Sequence, residues 1–349
     1  MDLLPDDEER EIAESVATFL ADRFPVSKVR ETFGAPSAVD AEFWKNAADL
    51  GWFGLGLDES LGGAGYGLAQ QALLFREVGR YLTPGPLIAS VLAARLAART
   101  GHQQVAAGIL GGEQPVGLLV RRSEPDDAPD TGPSADRAVS GRFDLLDGEG
   151  ASHVLLVEPD RSALLETAAL GPTTPIRCAD DAARLAEVAL TGAPVVAALA
   201  ESTDALYRRA LVLTSAMLTG IAEATRDMTA EHAKTREQFG KPIGVNQAVK
   251  HRCADMAVRT EAAWSQLLHA ALAADDDVPD AAFQVASARI VAAEAAIHNA
   301  RDAIQLHGGM GYTFECDAHL YLKRAHLLEH AFGDTRAHLR AILEATTPD

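Results

Sequence analysis

Apolar residues recur at helical spacing over the first hundred residues of the chain. The segments EEREIAESVATFLADRF (8–24) and AQQALLFREVGRYL (69–82) place apolar side chains three and four positions apart. The glycine-rich LGGAGYG (61–67) interrupts this pattern between them. The periodicity predicts an all-helical N-terminal domain over residues 1–112.

From about Pro115 the pattern changes to short apolar runs bounded by Gly, Pro and Asp. VGLLV (116–120) and HVLLVEP (153–159) have the composition of buried strands. RRSEPDDAPDTGPSAD (121–136) lacks apolar anchors and is expected to be a surface loop. We therefore predict a small, shortened β domain over residues 113–200.

Helical periodicity returns after residue 200, over longer segments. An apolar stripe extends from Leu206 to Met228 in steps of three and four, and further helical segments cover 247–274, 279–306 and the residues after Asp317. Long helices joined by short turns predict a C-terminal four-helix bundle over residues 201–349. The predicted fold is mainly α, with a small β domain between two helical domains.

The composition disfavours several classes of function. A formal net charge of -19 opposes binding to nucleic acid or to anionic membrane surfaces. The acidic N-terminus and the lack of an eighteen-residue apolar run predict a soluble, cytoplasmic protein. The three cysteines have unrelated spacings and indicate neither a disulfide framework nor a metal site.

One segment reverses the charge of the rest of the chain. Between Lys234 and Arg259 there are six basic residues and two acidic ones. Such a basic segment suits a compact polyanion, such as a nucleotide pyrophosphate. A solvated helix face without a ligand would have the same composition.

Three glycines stand within four residues in QLHGGMGYT (305–313). Alone they are a weak phosphate signal, because they follow a helix and because glycine after a helix is commonly a C-terminal cap. TREQFGKPIGVNQAVKH (235–251) supplies an arginine, an aromatic ring and amides in a turn between long helices. Together the two segments predict a phosphate cradle for a dinucleotide.

These motifs resemble those of the acyl-CoA dehydrogenases, a family of flavoenzymes. FWKNAADLGWFGLGLDESLGGAGYGLAQQALLFREVGRYLTPGP (43–86) is similar to the family's N-terminal helical domain, REQFGKPIGVNQ to its turn between bundle helices, and QLHGGMGYTFECDAHLYLKRA to its final glycine motif. The resemblance implies FAD as cofactor and oxidation of an acyl-CoA substrate to the 2,3-enoyl product. It also implies an electron-transfer flavoprotein as the electron acceptor.

In that family FAD lies across a subunit interface, and the neighbouring subunit binds its ADP half. The resemblance assigns seven residues of this chain to the cofactor: Arg236 and Phe239 at the ADP portion, Gln247 as a hydrogen-bonding group, Gln305, Gly308 and Gly309 at the pyrophosphate, and Thr335. The chemistry agrees, since arginine presents a charged fork to phosphate oxygens and glycine lets backbone N–H groups approach closely.

The chain departs from the family where the flavin ring and the catalytic base are expected. SEPDDAPD at Ser123–Asp130 is the candidate for the ring motif, and it lacks that motif's glycine and the serine that follows the glycine. The two positions at which family members carry the base glutamate are occupied by Gly333 and Ala210. We therefore assign no catalytic residue.

Two carboxylates lie near the first of these positions. Asp334 is expected to be a helix N-cap or a surface charge, and Glu329 an exposed helical residue, although either is a candidate base. His307 and His319 are expected to be structural or to lie beside the flavin rather than to carry protons.

This pattern resembles the short, base-less subunit of the α2β2 acyl-CoA dehydrogenases of actinobacterial steroid side-chain degradation. Three hypotheses follow. The chain is a partner-dependent subunit, or an autonomous homotetrameric dehydrogenase that uses Asp334 or another carboxylate, or a binding or scaffold protein without activity.

Overall fold

The computed structural model describes residues 6–122 and 138–347. Contacts between residues group the chain into two compact units that alternate along the sequence. The bundle unit comprises Met1–Val29, Leu68–Thr83 and Leu211–Asp349, and the sheet unit comprises Arg30–Gly67 and Pro84–Ala210. The flavin-ring candidate Ser123–Asp130 and most of the predicted surface loop lie outside the described residues.

Helices form most of the described chain. In chain order they are α1 (Asp7–Arg23), α2 (Val26–Val29), α3 (Ala41–Asp49), α4 (Leu68–Arg80), α5 (Leu87–Arg99), α6 (Gln103–Leu110), α7 (Leu206–Thr235), α8 (Gln247–Asp275), α9 (Ala281–His307), α10 (Ala318–His330) and α11 (Thr335–Glu344). Among these helices none is both long enough and apolar enough to cross a membrane.

The strands form one mixed sheet and one short hairpin. They are β1 (Val116–Arg121), β2 (Ala138–Leu146), β3 (His153–Val157), β4 (Arg161–Glu166), β5 (Thr174–Ile176), β6 (Leu185–Pro194), β7 (Ala197–Ala200), β8 (Glu237–Gln238) and β9 (Lys241–Pro242). The sheet has the order β5-β6-β2-β1-β3-β4-β7, in which only the β1–β3 pair is parallel.

The sheet unit is held together by the apolar side chains that alternate along its strands. Phe143, Val154, Leu156 and Leu165 belong to one buried cluster on the sheet. Because successive side chains of a strand point to opposite faces, and all five residues of β3 are buried, both faces of the sheet are covered at this strand. Helix α5 belongs to the same unit and is buried along almost its whole length.

The bundle unit is built around α7, α8 and α9, which short connections join in sequence. Helix α9 contributes small buried residues such as Ala288, Ala292 and Ala296, which allow close approach of the neighbouring α8. Helix α4 also belongs to this unit, although it lies far from the other helices in the sequence.

Two glycines permit α4 and α7 to meet backbone against backbone. A Cβ on Gly79 would overlap the carbonyl oxygen of Met217, and a Cβ on Gly220 would overlap that of Arg76. Beside this crossing, the Arg76 Nε donates to Glu223 at 2.7 Å. Close packing and a largely buried ion pair therefore fix α4 to α7.

The structure confirms the predicted fold class. VGLLV and HVLLVEP form β1 and β3, and the predicted helix 247–274 is α8. The division into residues 1–112, 113–200 and 201–349 stays a prediction, since the contacts group the chain differently along the sequence.

Candidate functional site

The turn between α7 and α8 is a two-residue hairpin with an exposed aromatic tip. β8 and β9 pair Glu237 with Pro242 and Gln238 with Lys241, so Phe239 and Gly240 form the turn. Their φ values of 53° and 75° are both positive, as the turns favoured in tight hairpins require. Positive φ is unusual for a bulky residue, and the Phe239 side chain is 98% exposed.

Arg236 leads into this hairpin and is exposed. Three of the six basic residues in the segment are engaged, because Lys234 pairs with Glu231 while Arg252 and Arg259 both pair with Asp302. Within the described chain, no carboxylate lies within ion-pair distance of Arg236, Lys241 or Lys250. These three cations are therefore available to an anion.

The glycine turn follows α9 directly. Gly308 ends the helix with φ 63° and ψ -140°, a conformation that favours glycine, and its N–H donates to the Gln305 carbonyl. The cap expected for this position is thus present. A Cβ on Gly311 would overlap the Ile304 carbonyl, so Gly311 is needed for packing.

Gly309 differs from these two neighbours. Among the described residues nothing lies within 4 Å of a Cβ built on it, and its φ is not in the left-handed region. Neither the packing nor the backbone conformation seen here requires glycine at this position. A ligand that approaches the backbone closely would require it.

A pair of stacked imidazoles joins the two turns. His232 lies in the last turn of α7, four residues before Arg236, and His307 is the last residue of α9. Their ring centroids are 4.1 Å apart, with an interplanar angle of 21°. The C-terminal ends of α7 and α9 therefore lie side by side, which brings the Arg236 turn and the glycine turn to the same end of the bundle unit.

The surroundings of the stack disfavour a proton on the His232 ring. Burial, His307 and Arg236 together lower the pKa of His232 from its ordinary value. The His307 Nδ1 lies 2.7 Å from the carbonyl oxygen of Ala303, to which it donates. From the sequence, His307 was expected to be structural or to lie beside the flavin, and His232 was not singled out. The stacking of side chains 75 residues apart leaves no local sequence signal.

Gln247 and Gln305 are exposed at this same end of the bundle unit. Gln247 is the first residue of α8, where the helix dipole is positive, and Gln305 lies in the last turn of α9. Thr335 is placed differently. It begins α11, and its hydroxyl donates to Glu329 Oε1 of α10 at 3.4 Å.

An open groove with a volume of about 460 Å³ adjoins the hairpin. Its walls are mainly apolar, and two of the basic residues also line it. The lining residues are Ala230, Ala233, Lys234, Pro242, Gly244, Val245, Val249, Lys250 and Cys253. Apolar walls beside Lys250, which has no carboxylate partner within the described chain, suit a flat ring that carries phosphates.

Both candidate carboxylates have partners within the chain. Asp334 is the N-cap of α11 and accepts from the Ala337 N–H at 2.8 Å, as expected. Glu329 was expected to be exposed, but it is half-buried. It accepts from Thr335 and lies 3.2 Å from the His326 Nδ1. Ala210 is fully buried in α7, and Gly333 has a φ of 105°.

Large exposed apolar side chains accompany the two turns. Met310, Tyr312 and Phe314 follow the first two glycines and are 49%, 81% and 58% exposed, while Phe239 forms the tip of the hairpin and Val245 follows the hairpin. A concentration of exposed aromatic side chains is typical of an interaction surface. We call these five residues the apolar rim.

Comparisons with known proteins agree with this geometry. Residues 6–111 match the family model described as acyl-CoA dehydrogenase, N-terminal domain, and residues 199–347 match the one described as acyl-CoA dehydrogenase, C-terminal domain. The chain is 33% identical to acyl-CoA dehydrogenase IpdE2 of Mycobacterium tuberculosis over 331 residues, which cover 93% of this chain and 92% of IpdE2.

Two further similarities are informative. Acyl-CoA dehydrogenase FadE34 of Mycobacterium tuberculosis is 34% identical over 314 residues, which cover 88% of this chain but only 43% of FadE34. A chain in the crystal structure of the ChsE4-ChsE5 complex from Mycobacterium tuberculosis superposes with a TM-score of 0.88 and 27% identity, covering 100% of both chains.

Proposed function

The chain belongs to the acyl-CoA dehydrogenase family, and from this premise we propose that it is a partner-dependent subunit of an FAD-containing acyl-CoA dehydrogenase. In this proposal the chain binds the ADP half of FAD, while a second, homologous subunit supplies the flavin-ring pocket and the catalytic base. The bound flavin would accept the hydride from the β carbon of the thioester.

The residues at the end of the bundle unit fit the ADP half of FAD. The Arg236 guanidinium is exposed and has no carboxylate partner within the described chain, as suits a phosphate ligand. Gly308 and Gly309 leave their backbone open to an approaching group. Gln247 and Gln305 add amide donors and acceptors, and the adjoining groove offers apolar walls for the adenine.

The observation that carries the partner requirement is the apolar rim. Phe239 is almost fully exposed at the tip of a turn whose positive φ is unfavourable for phenylalanine. Burial of an aromatic side chain stabilises a complex by roughly 1.5–3 kcal/mol. A second subunit that covers the rim would also enclose the nucleotide between the two chains.

The base positions support the same assignment. Removal of the α proton needs a carboxylate within hydrogen-bonding reach of the substrate, and neither Ala210 nor Gly333 offers one. The Asp334 carboxylate caps the N-terminus of α11, and the Glu329 carboxylate contacts His326 and Thr335. The geometry therefore favours a base from another chain over the autonomous alternative.

The similarities point the same way. ChsE4-ChsE5 is a complex of two different proteins, and this chain resembles one of its chains over the full length. The resemblance to base-less subunits of steroid side-chain enzymes favours a steroid-derived acyl-CoA as substrate. An electron-transfer flavoprotein would take the electrons onward.

Flavin content tests the proposal directly. We would purify the chain alone and together with a homologous, glutamate-bearing subunit encoded beside it, and measure bound flavin by its visible absorbance. We expect little flavin with the chain alone and stoichiometric flavin with the complex. Arg236→Gln should lower the flavin content of the complex, because a charged hydrogen bond to the phosphates is lost.

Arg252→Gln is the matched control. Arg252 is also an exposed arginine of the basic segment, but it pairs with Asp302 at 2.9 Å. Its replacement should leave flavin content unchanged. Stoichiometric FAD in the isolated chain would refute the partner requirement, and a complex without any flavin would favour the scaffold hypothesis.

A further inference from the structure

The stacked pair of His232 and His307 lies between the two turns proposed to bind the diphosphate. Each ring belongs to the last turn of a long helix, and each helix leads into one of these turns. The bond from the His307 Nδ1 to the Ala303 carbonyl oxygen, at 2.7 Å, fixes the orientation of that ring. A change of charge on either imidazole would alter the electrostatic potential at both turns.

The charged surroundings of His232 are simple. His307 of α9 and Arg236 of the hairpin both act on it and oppose its protonation. Glu231 and Lys234, its neighbours on α7, pair with each other at 3.6 Å. Burial is the largest of the causes that lower the pKa of His232, followed by His307 and then Arg236. Arg236 is the permanently charged group among these causes, and it is also the group proposed to bind the diphosphate.

We propose that His232 is a positioning residue of the nucleotide site and that it takes up one proton when a diphosphate binds to Arg236. The inference rests on the proposed function, since it requires the diphosphate at this end of the bundle unit. The bound anion would neutralise Arg236 and attract an imidazolium nearby. The cation would lie against the face of the stacked His307 ring.

A second proton is not expected. Two stacked imidazolium rings 4.1 Å apart would repel each other strongly. The uptake is therefore limited to one proton for the pair. By linkage, the affinity for the diphosphate must rise as the pH falls, by up to about tenfold per pH unit.

Calorimetry on the full-length chain with ADP-ribose tests this. ADP-ribose contains the ADP half of FAD, and its diphosphate is a diester whose charge does not change between about pH 6 and pH 8. Titrations at the lower pH, in two buffers of different ionisation enthalpy, measure the protons taken up. We expect a large fraction of one proton, and about threefold to tenfold weaker binding at the higher pH.

His232→Phe separates the proton from the packing. Phenylalanine keeps an aromatic ring against His307 but cannot be protonated. Binding of ADP-ribose at the higher pH should therefore be unchanged, while the increase in affinity at the lower pH and the proton uptake should disappear. His298→Gln is the control. His298 lies on the same helix as His307 and makes the same contact to the carbonyl four residues earlier, at 2.8 Å, but it is exposed.

The outcomes distinguish the two proposals. If ADP-ribose does not bind, or binds equally to Arg236→Gln, the nucleotide site itself is refuted and this inference with it. If binding depends on Arg236 but no proton is taken up, only the role of His232 is refuted. Proton uptake that persists in His232→Phe would refute that role as well.

Discussion

The burial of His338 as a neutral ring is expected to make the protein less stable at mildly acidic pH. His338 of α11 is 2% exposed. Burial and the nearby Arg289 guanidinium lower its pKa from 6.5 to about 4, although the Gly333 carbonyl and Asp334 act in the opposite direction. The neutral ring donates from its Nε2 to the Gly333 oxygen at 3.2 Å.

The magnitude follows from linkage. The unfolded chain binds the proton near pH 6.5, whereas the folded chain binds it only near pH 4. Stability is therefore lost as the pH falls between these two values. At pH 5 the loss attributable to His338 is about 2 kcal/mol relative to neutral pH. This is a substantial fraction of the stability of a typical domain.

Urea denaturation of the wild type and of His338→Gln, at neutral pH and at about pH 5, measures this loss. Glutamine keeps a side-chain donor for Gly333 but does not titrate, so its stability should fall by about 2 kcal/mol less. Burial also raises the pKa values of Glu77 and Glu201. Their effect on stability is the same in both proteins and cancels in the comparison. Equal losses in the two proteins would refute the reasoning, and the exposed His298→Gln should behave as the wild type.

Two further predictions concern packing and the base. Gly220→Ala should destabilise the protein by about 1–3 kcal/mol in urea denaturation, because its Cβ would force α4 away from α7 at Arg76. Gly309→Ala should not destabilise it, since a Cβ there meets open space. Equal stabilities of Gly220→Ala and the wild type would contradict the observed crossing. Asp334→Asn should leave both stability and the turnover of the complex unchanged, since asparagine caps a helix as well as aspartate does. Lost turnover with intact flavin would instead favour the autonomous alternative.

Local sequence patterns predicted the helices and strands, but not how they group into the two units. The apolar stripe from Leu206 predicted α7, and the run HVLLV predicted β3, because each pattern depends only on spacing along the chain. That α4 joins the bundle unit was not predictable in this way. Its partner is Gly220 of α7, which lies far along the chain, and the glycines that permit the contact resemble those of ordinary turns and helices.

In the candidate site, too, the sequence identified individual residues but not the contacts between distant ones. The resemblance identified Arg236 and the two glycines, and the structure places them at one end of the bundle unit. The stack of His232 on His307 could not be predicted, since the two histidines lie 75 residues apart and His232 stands in an ordinary helical segment. Glu329 was expected to be exposed because its position on α10 alone does not show that Thr335 and His326 lie beside it.

The end of the bundle unit carries features that the folding of this chain does not need. Phe239 occupies an unfavourable backbone conformation and buries almost nothing, Arg236 has no counter-charge among the described residues, and Gly309 has room for a side chain that it lacks. Each would lower or leave unchanged the stability of an isolated subunit. They are explained together if the residues contact a dianionic nucleotide and a second chain. The strain at Phe239, the free charge of Arg236 and the open backbone at Gly309 would then be offset in one binding event.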